Sequence, residues 1–252
     1  MTSETKILLF DIENAPNLSY TWGKWEQNVI EFKNEWYLLS FAYKWLGEKK
    51  VHSYSLPDFK LYKRDKENDR DLAKKLWDLM SRADIIVGHN SVDFDERKAN
   101  ARFIYHGLTP PKPYKSVDTL KVARKHFFFN SNKLGDLAKH LGLGEKEESG
   151  GFETWRGCML GDKSAWKQMV KYNKKDIVIL EKVYNKLLPW IGNHPNVNVL
   201  DEILNSCPNC GSHRIQSRGF SFTAVSKRKR FQCQSCGKWS VGKTIKTGIE
   251  IR

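Results

Sequence analysis

Four carboxylates stand at the edges of apolar elements, a placement that can hold divalent cations. Asp11 and Glu13 close the run Ile7-Leu8-Leu9-Phe10-Asp11-Ile12-Glu13. Asp95 lies in Asn90-Ser91-Val92-Asp93-Phe94-Asp95, soon after the apolar run Ile85-Ile86-Val87. Asp176 follows Tyr172 by four residues. Like charges raise one another's pKa, so such a cluster is unfavourable without metal. Its all-oxygen donors suit Mg²⁺ or Mn²⁺.

The elements that must position these groups follow from hydrophobic patterning. Residues 6–13 read as a buried strand, on which Asp11 and Glu13, two apart, share a face. Residues 84–90 read as a second buried strand, broken at Gly88-His89-Asn90. A helix is expected from about Phe94 through Tyr105, with Asp95 in its first turn, where unpaired N–H groups favour a carboxylate. That is also the ordinary role of a capping acid, and Asp93 competes for it. His89 reads as a structural hydrogen-bonding residue, since no second His or Cys accompanies it. Residues 163–187 read as one long helix, with Trp166, Met169, Val170, Ile177, Leu180, Val183, Tyr184 and Leu187 as its packing stripe. Tyr172 and Asp176 are then neighbours on one face.

Two strands are expected within 35–56, joined around Gly47, and an amphipathic helix over 66–82. Ser116-Val117-Asp118-Thr119-Leu120 reads as the start of another helix, capped by Ser116 or Asp118. Asp118 is a fifth acid, read as structural. Phe127-Phe128-Phe129 and the segment Trp22 to Trp36 read as core or interface.

Taken in order, D-x-E on the first strand, N-x-x-x-F-D entering a helix and Y-x-x-x-D on a late helix resemble the DEDD (DnaQ-like) 3′→5′ exonuclease superfamily, in its Tyr-bearing DEDDy branch. The resemblance covers residues 5–190. It implies an α/β, ribonuclease H-like mixed sheet flanked by helices. It further implies two Mg²⁺ or Mn²⁺ ions held by Asp11, Glu13, Asp95 and Asp176 for phosphodiester hydrolysis, with Glu13 and Tyr172 orienting the attacking water. The match through Asn90 and Phe94 selects Asp95 over Asp93. A phenol, with its usual pKa of about 10, would position that water rather than deprotonate it.

Cys207-Pro-Asn-Cys210 and Cys233-Gln-Ser-Cys236 are two C-x-x-C pairs, the pattern of one structural Zn²⁺ site rather than of disulfides. With Lys227-Arg228-Lys229-Arg230 between them, the segment resembles the zinc ribbons of DNA-binding proteins. The basic run can neutralise phosphates without reading sequence. Phe231 and Trp239 are expected to pack, while Phe220 and Phe222 stay open. Cys158 stands apart and reads as a buried apolar side chain.

The chain has 252 residues and a net charge of +14, which points to a polyanionic partner. Residues 207–252 hold ten Lys and Arg against one acid, so the C-terminal segment carries most of the excess. The expected organisation is a ribonuclease H-like domain over 1–192, a linker over 193–206 and a zinc ribbon over 207–252. The N-terminal residues are polar and no apolar run reaches membrane-spanning length, so a soluble, cytoplasmic protein is expected. The functional expectation is a 3′→5′ exonuclease acting on nucleic acid, with DNA favoured. Two rivals are a non-catalytic zinc-ribbon DNA-binding protein and a structure-selective endonuclease on the same fold.

Overall fold

The computed structural model describes residues 5–25, 28–145 and 149–245. The chain divides into two compact units. One comprises Lys6–Lys121 and Phe129–Val183; the other comprises Thr5, Val122–Phe128 and the described residues from Tyr184 onward.

The first unit is built on a five-stranded mixed sheet. Strands β1 (Ile7–Asn14), β4 (Leu38–Trp45) and β5 (His52–Ser55) are antiparallel neighbours. Strands β6 (Ile85–Gly88) and β7 (Lys115–Asp118) extend the sheet in parallel beyond β1, giving the order β5-β4-β1-β6-β7. The parallel strands need crossovers. These are supplied by helices α1 (Arg70–Met80) and α2 (Asp95–Tyr105). A mixed sheet flanked by helices is the architecture that the motif order implies.

Burial explains why β1 shows a continuous apolar run. Leu8, Phe10 and Ile12 join a core with Leu72, Leu76 and Met80 of α1 and Ala99 and Phe103 of α2. By strand alternation, Leu9, Asp11 and Glu13 take the opposite face. Helix α6 (Lys163–Leu187) crosses that face. Its Asn173 meets Ser40 at 3.4 Å, and its Glu181 pairs with Lys44 at 2.5 Å. Eight residues of helix rise about 12 Å, and four residues of strand rise about 13–14 Å. The two spacings match, so α6 runs along β4 over this stretch. Cys158, in α5 (Phe152–Leu160), is buried in the core. Burial pushes its thiol up to about 12.

One local expectation is corrected. Ser116 to Asp118 is strand, not helix, because pairing with β6 captures it; helix α3 (Thr119–His126) starts one residue later. A four-residue edge strand is too short for alternation to declare itself. Asp118 does cap α3, its Oδ1 accepting from Leu120 and Lys121 N–H at 3.0 and 3.3 Å. The Trp-bearing segment before β4 holds a hairpin of β2 (Leu18–Tyr20) and β3 (Glu31–Asn34), with Trp22 and Trp25 exposed rather than in the core. Helix α4 (Leu134–His140) completes this unit.

The second unit carries a three-stranded antiparallel sheet of β8 (Ile215–Phe222), β9 (Lys227–Cys233) and β10 (Trp239–Ile245). The segment before it is held by specific bonds. Tyr184 OH and His194 Nε2 lie 2.7 Å apart, and Val197 N–H, in the short helix α7 (Val197–Leu200), donates to Pro208 O. Asn209 Nδ2 donates to the carbonyls of Leu188 and Ile191. No helix among the described residues is long and apolar enough to cross a membrane.

Candidate metal centres and nucleic-acid interface

Asp11 and Glu13 project from one face of β1, and Asp176 comes from α6. One carboxylate oxygen from each lies within 4.8 Å of the others. Such crowding of negative charge is the expected signature of a cation site. The donors are all oxygen, which fits Mg²⁺ or Mn²⁺. Asn173, one residue after Tyr172, was not foreseen. It is fully buried, and its Nδ2 donates to Asp11 Oδ2 at 2.7 Å and to Asp11 O at 3.3 Å. The bond to Oδ2 helps fix the Asp11 carboxylate. The sequence held a signal for it: Asn173 precedes Asp176 by three residues, on the same helix face.

Asp95 stands beside this group rather than in it. Its Oδ1 accepts from Ile12 N–H, the amide between Asp11 and Glu13, at 3.2 Å. It is 5% exposed. Burial pushes its carboxyl up to about 7, with Asp118 and Glu96 adding repulsion and the Ile12 bond opposing. A nearby cation would favour its ionised form. Asp93 points elsewhere: it is exposed and pairs with Lys121 at 3.1 Å.

The loop that delivers Asp95 is built on close approach. A Cβ at Gly88 would meet Ser91 Cβ at 2.3 Å, so only glycine lets the chain turn there. Asn90 follows at φ 65°. Its N–H donates to Asp118 Oδ1 at 2.9 Å, so Asp118 fastens both this loop and α3. His89 bridges Thr119 Oγ1 and the Asn132 carbonyl, each at 2.9 Å. Tyr172 packs edge-on against Trp155, with ring centroids 6.0 Å apart.

In the second unit the four cysteines converge. Cys207 and Cys236 Sγ lie 3.6 Å apart, and Cys210 and Cys233 Sγ 3.7 Å apart. All four sulfurs lie within 4.8 Å of one another. A tetrahedron of Zn–S bonds of about 2.3 Å has edges of roughly 3.8 Å. The spacing therefore fits one Zn²⁺ and is far too long for disulfides, whose S–S bond is about 2.05 Å. Without metal, a hydrogen bond from Cys210 lowers the Cys207 thiol to about 5 and raises Cys210 in return.

The basic run Lys227 to Arg230 does not form a single patch. Strand alternation places Lys227 and Lys229 on the face of Phe231 and Cys233, and Arg228 and Arg230 on the other. Lys227 lies over Phe220 at 4.2 Å, and Arg230 over Trp239 at 4.9 Å. Phe220 and Phe222 are exposed, as expected, and Phe231 is half-buried. Trp239 is corrected: it is 46% exposed, because its register opposite Gln232 places it on the face away from Phe231.

A model of the RNase_H superfamily matches residues 26–188. A DNA polymerase III PolC-type from Ureaplasma parvum serovar 3 is 30% identical over 103 residues, 41% of this chain and 7% of the polymerase. Protein NEN3 of Arabidopsis thaliana is 31% identical over 78 residues, 30% of this chain and 15% of NEN3. The chain thus spans a small part of the relatives it matches. Among solved structures, the family B DNA polymerase of Pyrobaculum calidifontis superposes with a TM-score of 0.54 at 16% identity, over 90% of this chain and 32% of the polymerase. That likeness concerns the fold.

Proposed function

Because the chain belongs to the RNase_H superfamily, we propose that it is a metal-dependent 3′→5′ exonuclease acting on nucleic acid, DNA in preference to RNA. The observation that carries this reading is the meeting of Asp11, Glu13 and Asp176 within 4.8 Å, beside Asp95. These four side chains would hold Mg²⁺ or Mn²⁺. When bound, a pair of such ions stabilises the attacking and leaving oxygens of an in-line phosphoryl displacement.

The chain's own residues supply position. Asn173 fixes Asp11 through Oδ2. Asp95 ties the β1 backbone at Ile12. Tyr172, braced by Trp155, orients a water for attack and need not take its proton. The tyrosine favours an exonuclease, since the Y-x-x-x-D motif resembles the DEDDy branch. The name of the PolC-type DNA polymerase that this chain is similar to supports DNA as substrate. The four cysteines would hold one structural Zn²⁺, and the basic, aromatic β8–β9–β10 sheet would bind nucleic acid through phosphates and stacking.

The test is digestion of 5′-labelled DNA and RNA oligonucleotides with Mg²⁺ or Mn²⁺. The expected product is a ladder shortening from the 3′ end, faster on DNA and abolished by EDTA. Hydrolysis in excess EDTA, or equal cutting of 3′-blocked linear DNA, would overturn the reading. Cleavage of circular single-stranded DNA would favour the endonuclease.

A further inference from the structure

A lysine is clamped between two aromatic rings one turn along α2 from Asp95. Lys98 Nζ lies 3.8 Å from the centroid of Trp36 and 5.3 Å from that of Phe94. Phe94 caps α2 and Lys98 lies in its first turn, which brings ring and ammonium together. Both aromatic residues adjoin groups bonded to β1 or to the residues just after it. Phe94 immediately precedes Asp95, whose carboxylate takes the Ile12 N–H. Trp36 N–H donates to Asn17 Oδ1, and the next residue's carbonyl, on Tyr37, accepts from Ala15 N–H at the end of β1.

Lys98 is half-buried, yet among the described residues no carboxylate lies within ion-pair distance of it. A partly desolvated ammonium is costly, and ring faces offset only part of that cost. The three carboxylates that converge on the strand bonded by Asp95 would repel a polyanion. A cation fixed one turn from Asp95, with no carboxylate in ion-pair distance among the described residues, matches a phosphodiester. Phe94 is 42% exposed, which leaves a ring face on which a base can stack.

We infer that Lys98, held by Trp36 and Phe94, grips a backbone phosphate of single-stranded nucleic acid beside the scissile one, with Phe94 receiving a base. This rests on the nuclease reading above for the meaning of "scissile". The grip itself is a binding claim.

The experiment measures binding of a fluorescein-labelled oligothymidylate by the full chain, with Ca²⁺ in place of Mg²⁺, over a range of salt. Lys98→Met should weaken binding about tenfold and reduce the salt slope by roughly 0.7, the loss of one phosphate contact on a single strand. Lys98→Arg should bind within about threefold of wild type, since a guanidinium also stacks and pairs with phosphate. In Mg²⁺, the Lys98→Met defect should fall on KM more than on kcat. Unchanged affinity and slope in Lys98→Met overturns the inference, and so does an equal defect in Lys98→Arg. A wild-type protein that binds the oligomer but releases no nucleotide overturns the nuclease reading and leaves this comparison readable.

Discussion

The two candidate metal centres are assembled from opposite materials. Asn173 and Asp11, which meet at the oxygen centre, lie 162 residues apart. Strand β1 and helix α6 bring them together only because Leu8, Phe10 and Ile12 on one side and the α6 contacts on the other fix both elements. The sulfur centre uses two pairs, each three residues apart, on tight turns. Gly211 at φ 70° and Gly237 at φ 83° follow the second cysteine of each pair, where only glycine adopts the left-handed turn without strain. The oxygen centre is thus held by a large core that would persist without metal. The sulfur centre lies in a module whose sheet is mostly exposed, so an ion bound there would supply much of its folding free energy. One centre is made by the fold, and the other would make its own.

Substitution at the oxygen centre should give the largest effect. Asp11→Asn or Asp176→Asn should lower cleavage of labelled DNA by at least about a thousandfold, the scale of losing charge stabilisation in a transition state. The melting temperature in EDTA should not fall, since a crowded like charge is removed. A variant that loses its circular dichroism spectrum along with activity would contradict the claim that the core builds this site.

The opposite pattern is expected at the cysteines. Cys207→Ser with Cys210→Ser should abolish the one equivalent of zinc and unfold residues 207–245, leaving the amide signals of the first unit in place. Elemental analysis and ¹⁵N-correlation spectra read both outcomes. Nucleic-acid binding should weaken and its salt dependence become shallower, while hydrolysis of a short oligonucleotide at saturation should survive. Zinc-free wild type with a fully dispersed ribbon spectrum would end the contrast.

A smaller effect is expected at Asn173. Asn173→Ala frees Asp11 Oδ2 and should raise the Mn²⁺ concentration for half-maximal activity about tenfold, as outer partners of metal ligands commonly do. Asn173→Asp should be worse, because it adds charge to a crowded site. Equal metal affinity in wild type and Asn173→Ala would show that Asp11 needs no brace.

The mildest test concerns pH. Asp95 has its pKa pushed from 3.8 up to about 7 by burial in the metal-free protein. The folded state therefore binds more protons than the unfolded chain between about pH 4 and 7, and stability falls as pH rises through that window. In EDTA, melting temperature should decline from pH 4 to 7, and Asp95→Asn should flatten the decline. Sufficient Mn²⁺ should reverse it by favouring the ionised carboxylate. An Asp95→Asn curve parallel to that of wild type would refute this assignment.

Much of this was legible in the residues. The run Ile7 to Phe10 marks a buried strand because both faces of β1 are covered, and the eight-residue apolar stripe of α6 spans six turns, long enough for its period to be plain. The edge strand β7 was not legible, since Ser116 to Asp118 pairs with β6 by tertiary contact alone. The exposure of Trp239 was also hidden, because it depends on the register of β10 with β9. A one-residue change of register would invert it.

The sequence by itself determined which side chains can do chemistry: the spacing of Asp11 and Glu13 on a strand, of Tyr172 and Asp176 on a helix, and of the paired cysteines on turns. These are local geometries, fixed by the period of the backbone. The tertiary structure decided that Asn173 reaches Asp11, that Asp95 bonds Ile12 N–H rather than joining the group of three, and that Lys98 sits between Trp36 and Phe94. Each of those contacts joins elements distant along the chain, and their separation is set by packing, which no local pattern encodes.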